Sequence, residues 1–154
     1  MTTIVYRDGV LAADGRLTND DNLILTDECQ KIRRLSDGAL FVLAGDDTFE
    51  EQIVDWLEGD FDGALPQAEK DKEFIAILVD ADGALNVYEG SGDRFVQWPD
   101  DRFAAFGSGA EVAYGALEMG ADAYMAVEIA CLRNTTTGGD IQIAVPGYIE
   151  PTEG

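Results

Sequence analysis

The chain reads as an α+β protein, a four-layer α-β-β-α sandwich of two antiparallel sheets. Three observations predict it. Strand-like segments recur in pairs joined by short turns, which makes neighbouring strands antiparallel. Two segments, Leu40–Ala44 and Phe74–Val79, are nearly continuous apolar runs, so both of their faces need cover, whereas a hairpin sheet alone leaves one face wet. Three further stretches carry helical periodicity or caps, enough to clothe the outer faces of two sheets packed together.

Taken in order, Thr3–Arg7 and Val10–Ala13 form a hairpin around Asp8-Gly9, a dipeptide suited to the positive φ angles of a two-residue turn. Lys31–Leu35 and Leu40–Ala44 form a second pair around Ser36-Asp37-Gly38. Asp46 or Asp47 caps a helix to about Glu58, with Phe49, Ile53, Trp56 and Leu57 on one face. The acidic stretch from Gly59 to Lys72, interrupted by Pro66, reads as loop. Phe74–Val79 and Ala84–Glu89 pair around Asp80-Ala81-Asp82-Gly83, and Phe95–Trp98 and Phe103–Phe106 follow as strands. Ala110–Met119 is a helix stopped by Gly120, and Asp122–Leu132 a helix capped by Asp122. Ile141–Val145 is the last strand. Residues 1–145 are expected to be one domain and residues 146–154 a flexible acidic tail.

Composition closes several function classes. A chain of 154 residues, 46% of them hydrophobic, suits a single core. The formal charge of −21 argues against nucleic acid or anionic membrane as partner. No apolar run approaches the length of a membrane span, and no secretory signal is recognised. Cys29 and Cys131 are widely separated and match neither a metal cluster nor a redox pair, so a reducing cytoplasm is the expected compartment.

The chain contains no histidine, which removes Ser-His and Cys-His machinery. Its opening, Met1-Thr2-Thr3-Ile4-Val5, offers a different nucleophile. A residue as small as Thr2 permits removal of Met1, and the chain would then begin with an α-amine and a hydroxyl on one residue. The amine, with a pKa of roughly 7.7–8.0, can act as base for the hydroxyl near neutral pH. Many proteins begin Met-Thr, so other positions have to bear the reading out.

Several do so in order along the chain. Leu11-Ala12-Ala13-Asp14-Gly15-Arg16 ends a strand with a carboxylate, and Lys31 begins one. Leu43-Ala44-Gly45-Asp46 is a strand-to-helix turn. Gly107-Ser108-Gly109 opens a helix, and Asn134-Thr135-Thr136-Thr137-Gly138-Gly139 follows one. From Thr2 to about Val145 this ordered set resembles the proteasome β-subunit family of N-terminal-nucleophile hydrolases, nearest its bacterial two-ring members. The resemblance implies that family's sandwich fold and a threonine endopeptidase. Thr2 matches the nucleophile and Asp14 its acidic partner. Lys31 matches the lysine whose positive charge lowers the amine and hydroxyl pKa values. Gly45 matches the glycine whose N–H stabilises the oxyanion. Ser108, Asn134 and Thr137 match the residues that support the amine. It further implies a homo-oligomeric ring or double ring, polypeptide substrates, an AAA+ unfoldase partner, and no cofactor or metal.

Each position also has a plainer reading. Asp14 before Gly15 suits a turn, Lys31 beside Arg33 and Arg34 a solvated basic edge, Gly45 a helix-entry turn and Ser108 a helix cap. Asp80-Ala81-Asp82-Gly83 reads as a hairpin turn rather than a calcium loop, since the remaining ligands are missing. The chain departs from the family pattern between Leu57 and Phe74, where a second long helix is expected and the sequence is short. Asn134 stands for an aspartate, which an amide cannot replace in charge, and Thr137 for a serine. Two other functions stay open: an amidase or acylase acting on small amides, and a catalytically silent ring-forming scaffold.

Overall fold

The computed structural model describes residues 2–45, 50–59, 74–89, 94–97 and 103–147. β1 (Thr3–Arg7) and β2 (Val10–Ala13) form the expected hairpin, with Asp8 at φ 50° and Gly9 at φ 81°. A two-residue turn with both φ angles positive matches the twist of its flanking strands. After β2 the chain makes a small separate ladder, β3 (Leu17–Thr18) with β4 (Ile24–Thr26). The sequence reading left this ladder unassigned, because strands of two and three residues are too short to show a period.

The second pair is β5 (Arg33–Arg34) with β6 (Leu40–Gly45). β5 is shorter than the expected Lys31–Leu35. The Lys31 and Ile32 amides both donate to Gln142 Oε1, at 2.7 and 2.8 Å, instead of joining the ladder. α1 (Glu50–Glu58), β7 (Phe74–Val79), β8 (Leu85–Glu89), β9 (Arg94–Gln97) and β10 (Phe103–Gly107) follow. α2 (Ala110–Glu118), α3 (Ala123–Arg133) and β11 (Gln142–Ala144) complete the chain, and α3 begins one residue after its cap, Asp122. The expected cap at Asp46 or Asp47, Phe49, the loop over 60–73, Trp98 and the tail over 148–154 lie outside the described residues. Pro146 and Gly147 form a turn whose Gly147 amide donates to Gly38 O.

The strands make two main antiparallel sheets, ordered β10-β1-β2-β11 and β5-β6-β7-β8-β9. Residues alternate faces along each strand, so each sheet has two apolar sides to bury. Ile4, Leu11, Val42, Ile77, Val87 and Phe106 meet between the sheets. Val5, Ala12 and Ala105 face α2 and α3, where Ala113, Leu117, Ala126 and Val127 pack. Phe41, Ala76, Leu78 and Tyr88 face α1 through Ile53, Val54 and Leu57. The order helix pair, sheet, sheet, helix is the predicted four-layer α-β-β-α sandwich. Leu40, Phe41 and Val42 are all buried, as the continuous apolar run requires.

Candidate active site

β1 begins, and β2 ends, at the same end of the first sheet. The pairing Ile4↔Ala13 sets Thr3 across from Asp14, the residue after β2. Asp14 is wholly buried, and its carboxylate is saturated with donors. Oδ1 accepts the Thr3 amide at 3.0 Å and Lys31 Nζ at 2.8 Å, and Oδ2 accepts the Gly138 amide at 3.1 Å. Lys31, only 9% exposed, also donates from Nζ to Arg16 O at 2.7 Å. A buried ion pair is tolerated only when its remaining valences are met, as they are around this carboxylate.

β10 lies on the other side of β1, in the register Thr3↔Gly107. Gly107 has φ 94°, and a Cβ there would fall on the Thr2 carbonyl oxygen, so no other residue fits without displacing the chain start. The turn that follows grips that start: Ser108 N–H donates to Thr2 O at 3.1 Å and Gly109 N–H to Thr3 Oγ1 at 2.9 Å. Thr3 is fully buried and Thr2 half-buried.

The segment after α3 closes the back of this end. Thr3 Oγ1 and Thr137 Oγ1 share a hydrogen bond of 2.7 Å, and Thr137 Oγ1 lies 3.3 Å from Ser108 Oγ. Asn134 Oδ1 accepts from Thr137 Oγ1, and Asn134 Nδ2 donates to Ser108 O. Arg16 ties the same segment to the base of the β3–β4 ladder. Its guanidinium makes a two-pronged contact with Asp27, at 2.8 and 3.3 Å, and donates to Thr135 O. The hydrogen bond to Asp27 raises the Arg16 pKa and lowers that of Asp27.

Of the sequence-predicted residues, Asp14, Lys31, Ser108, Asn134 and Thr137 therefore fall into one connected region around the start of β1, which Thr2 joins through its carbonyl. For Gly45, strand register gives only its end of the second sheet. Arg33 pairs with Phe41, so Lys31 and the end of β6 share one end of the second sheet. Gly45 is exposed, and its φ of 107° is one that side-chain-bearing residues avoid.

Sequence reasoning missed Thr3, Arg16, Asp27 and Gln142. Thr3 is the hub between Asp14 and Thr137. Gln142 fixes the Lys31 segment through its Oε1 and holds Cys29 O through Nε2 at 2.9 Å. An alternating strand with a half-buried glutamine was the available signal for the last. Cys131, on the neighbouring face of α3, has its thiol pKa raised by burial and by Asp14. Chemically, the arrangement holds a buried ammonium, backbone amides and a hydroxyl cluster next to the first residues of the chain. A cation so placed favours the deprotonated form of a nearby amine or hydroxyl.

No model of a protein family matches the chain. Among curated proteins it is similar to the ATP-dependent protease subunit HslV of Pseudothermotoga lettingae, 32% identical over 133 aligned positions covering 73% of each chain. It is 35% identical to the ATP-dependent protease subunit HslV of Desulfovibrio desulfuricans over 136 positions, covering 75% of each. Among solved structures it matches eukaryotic HslV from Trypanosoma brucei with a TM-score of 0.73 at 19% identity, over 94% of this chain and 98% of that one. At that identity the structural match speaks for the fold alone.

Proposed function

Because the chain belongs to the HslV-like branch of the proteasome β-subunit family, we propose that it is a threonine-type peptidase whose nucleophile is Thr2, freed by removal of Met1. The single observation that carries the nucleophile assignment is the buried Lys31–Asp14 pair at 2.8 Å, with the same carboxylate oxygen bonded to the Thr3 amide. It puts a fixed positive charge beside the first residues of a chain that has no histidine.

In this reading Thr2 Oγ attacks the scissile carbonyl while the Thr2 amine takes the hydroxyl proton, directly or through a water. An ester acyl-enzyme forms, the amine-side product leaves with a proton, and water releases the acyl group. Lys31 and Asp14 tune the nucleophile, Gly45 N–H meets the oxyanion, and Ser108, Asn134 and Thr137 support the amine. The names of the relatives, subunits of an ATP-dependent protease, support a multi-subunit assembly coupled to ATP; in this proposal it is a homo-oligomeric ring acting on polypeptides with an AAA+ unfoldase. Among the described residues no helix is long and apolar enough to cross a membrane, and we place the protein in the cytoplasm on the charge and cysteine usage of the sequence.

The test is the intact mass before and after exposure to a peptide epoxyketone, which needs a hydroxyl and an adjacent free amine to form its adduct. The expected result is a mass lacking Met1 that gains one adduct, with no adduct in Thr2→Ala. Retained Met1, or a trimmed chain that takes no adduct, sinks the peptidase and favours a silent scaffold. An adduct accompanied by hydrolysis of small amides but not of peptides favours the amidase.

A further inference from the structure

Three side chains and one peptide unit behind Thr2 close into a ring of hydrogen bonds. Gly109 N–H donates to Thr3 Oγ1 (2.9 Å), the Thr3 and Thr137 hydroxyls share a bond of 2.7 Å, and Thr137 Oγ1 donates to Asn134 Oδ1 (3.2 Å). Asn134 Nδ2 then donates to Ser108 O (2.8 Å), and Ser108 O belongs to the same peptide unit as Gly109 N–H.

The partners settle which way the Asn134 amide points. Its Oδ1 also accepts the Thr136 amide at 3.0 Å and the Thr136 hydroxyl at 2.7 Å. A flipped amide would set its NH2 against the Thr136 N–H, and its oxygen against the Ser108 carbonyl. With that orientation set, the hydroxyls follow, because each has one hydrogen to give. With Thr137 giving its hydrogen to Asn134 Oδ1, Thr3 is the donor to Thr137, and Ser108 Oγ, 3.3 Å from Thr137 Oγ1, is a second donor there. Every donor in the ring then points the same way round, an arrangement in which each bond polarises and strengthens the next.

We propose that Asn134 is a positioning residue of this site. Its amide sets the direction of the ring, which clamps the Ser108-Gly109 turn onto Thr2 and Thr3 and leaves the lone pairs of Ser108 Oγ to accept from the Thr2 amine. The proposal rests on the functional reading above. An aspartate, the residue of the resembled pattern, cannot take this place: its carboxylate has no hydrogen for Ser108 O and would set two oxygens against each other. Asn134 is thus the residue this ring requires rather than a weakened aspartate, and restoring the aspartate slows the site.

The experiment is the rate of epoxyketone labelling, followed by intact mass across reagent concentrations, for wild type, Asn134→Asp, Thr3→Val and Thr3→Ser. Asn134→Asp loses one bond of the ring, from Nδ2 to Ser108 O, and Thr3→Val loses two, those to Gly109 N–H and Thr137 Oγ1. They are expected to label roughly ten-fold more slowly at saturating reagent, with the half-saturating concentration unchanged. Thr3→Ser keeps the hydroxyl and is expected to label within about two-fold of wild type. Asn134→Asp labelling as fast as wild type or faster overturns the proposal, and so does Thr3→Ser falling as far as Thr3→Val, since packing would then account for both. Should Asn134→Asp fail to fold, the Thr3→Val and Thr3→Ser pair decides. A trimmed wild type that takes no adduct defeats the functional reading and this inference together. Normal labelling by Thr3→Val in a reactive background defeats the inference alone.

Discussion

Asp14 and Lys31 show how unequal the two halves of a buried ion pair are. Asp14 holds Lys31, the Thr3 amide and the Gly138 amide at once, so removing it strips the ammonium of its carboxylate and frees two buried amides. Asp14→Ala is therefore expected to lower the unfolding free energy by about 3–5 kcal/mol in urea titrations. Lys31→Met leaves the carboxylate its two amide donors and should lose clearly less; equal losses would mean the amides do not compensate. Asp14 and Lys31 were singled out through the family resemblance, since alone Asp14 suits a turn and Lys31 a solvated basic edge. Thr3 and Gln142 were not. Both are ordinary strand residues, and their partners lie 134 positions away at Thr137 and 111 positions away at Lys31.

Helices and hairpins were readable where a local signal sets them. Asp122 has the extended backbone of an N-cap, and its Oδ1 accepts the Met125 amide at 2.8 Å, so the cap stands where the sequence put it. Asp122→Ala is expected to cost about 1 kcal/mol, measured by chemical denaturation, and Asp122→Ser to recover most of it. A null result for Asp122→Ala would mean that packing of α3 against the sheet, through Ala126, Val127 and Ala130, sets its start. The β3–β4 ladder was missed for a matching reason. Leu23, Ile24 and Leu25 are all exposed, so this segment lacks the alternation that marks a half-buried strand. Its base is held instead by the Arg16–Asp27 contact and by Asp140 N–H donating to Asp27 O.

At the scale of the whole molecule, 31 acidic residues against 10 basic ones make self-repulsion the dominant long-range term. The site is insulated from it, because Asp14 and Lys31 are paired out of solvent. Added salt should therefore screen the surface without weakening the site. The melting temperature is expected to rise between about 0.02 and 0.5 M NaCl, at a pH where carboxylates are ionised. A flat or falling curve would show that exposed pairs such as Arg33–Glu51 outweigh the repulsion. A second pH effect has a definite sign. The Asp27 pKa is lowered by Arg16, so this contact contributes above the ordinary carboxylate range and is lost as acid protonates Asp27. Arg16→Ala should accordingly flatten the acid limb of the stability curve, modestly, because both side chains are partly solvated.

By itself the sequence determined the α+β sandwich, the hairpin turns and the order of chemistry-bearing residues, because alternation, turn dipeptides and caps act over a few neighbours. Comparison of that order with known proteins carried the family. Only the tertiary structure decided that β10 pairs with β1, so that Gly107 lies over Thr2 and the Ser108 turn grips the chain start. It also decided the orientation of the Asn134 amide, which depends on donors and acceptors supplied by Thr136, Thr137 and Ser108 together. Hydrogen-bond direction belongs to a closed set of partners in space, and no spacing along the chain encodes it.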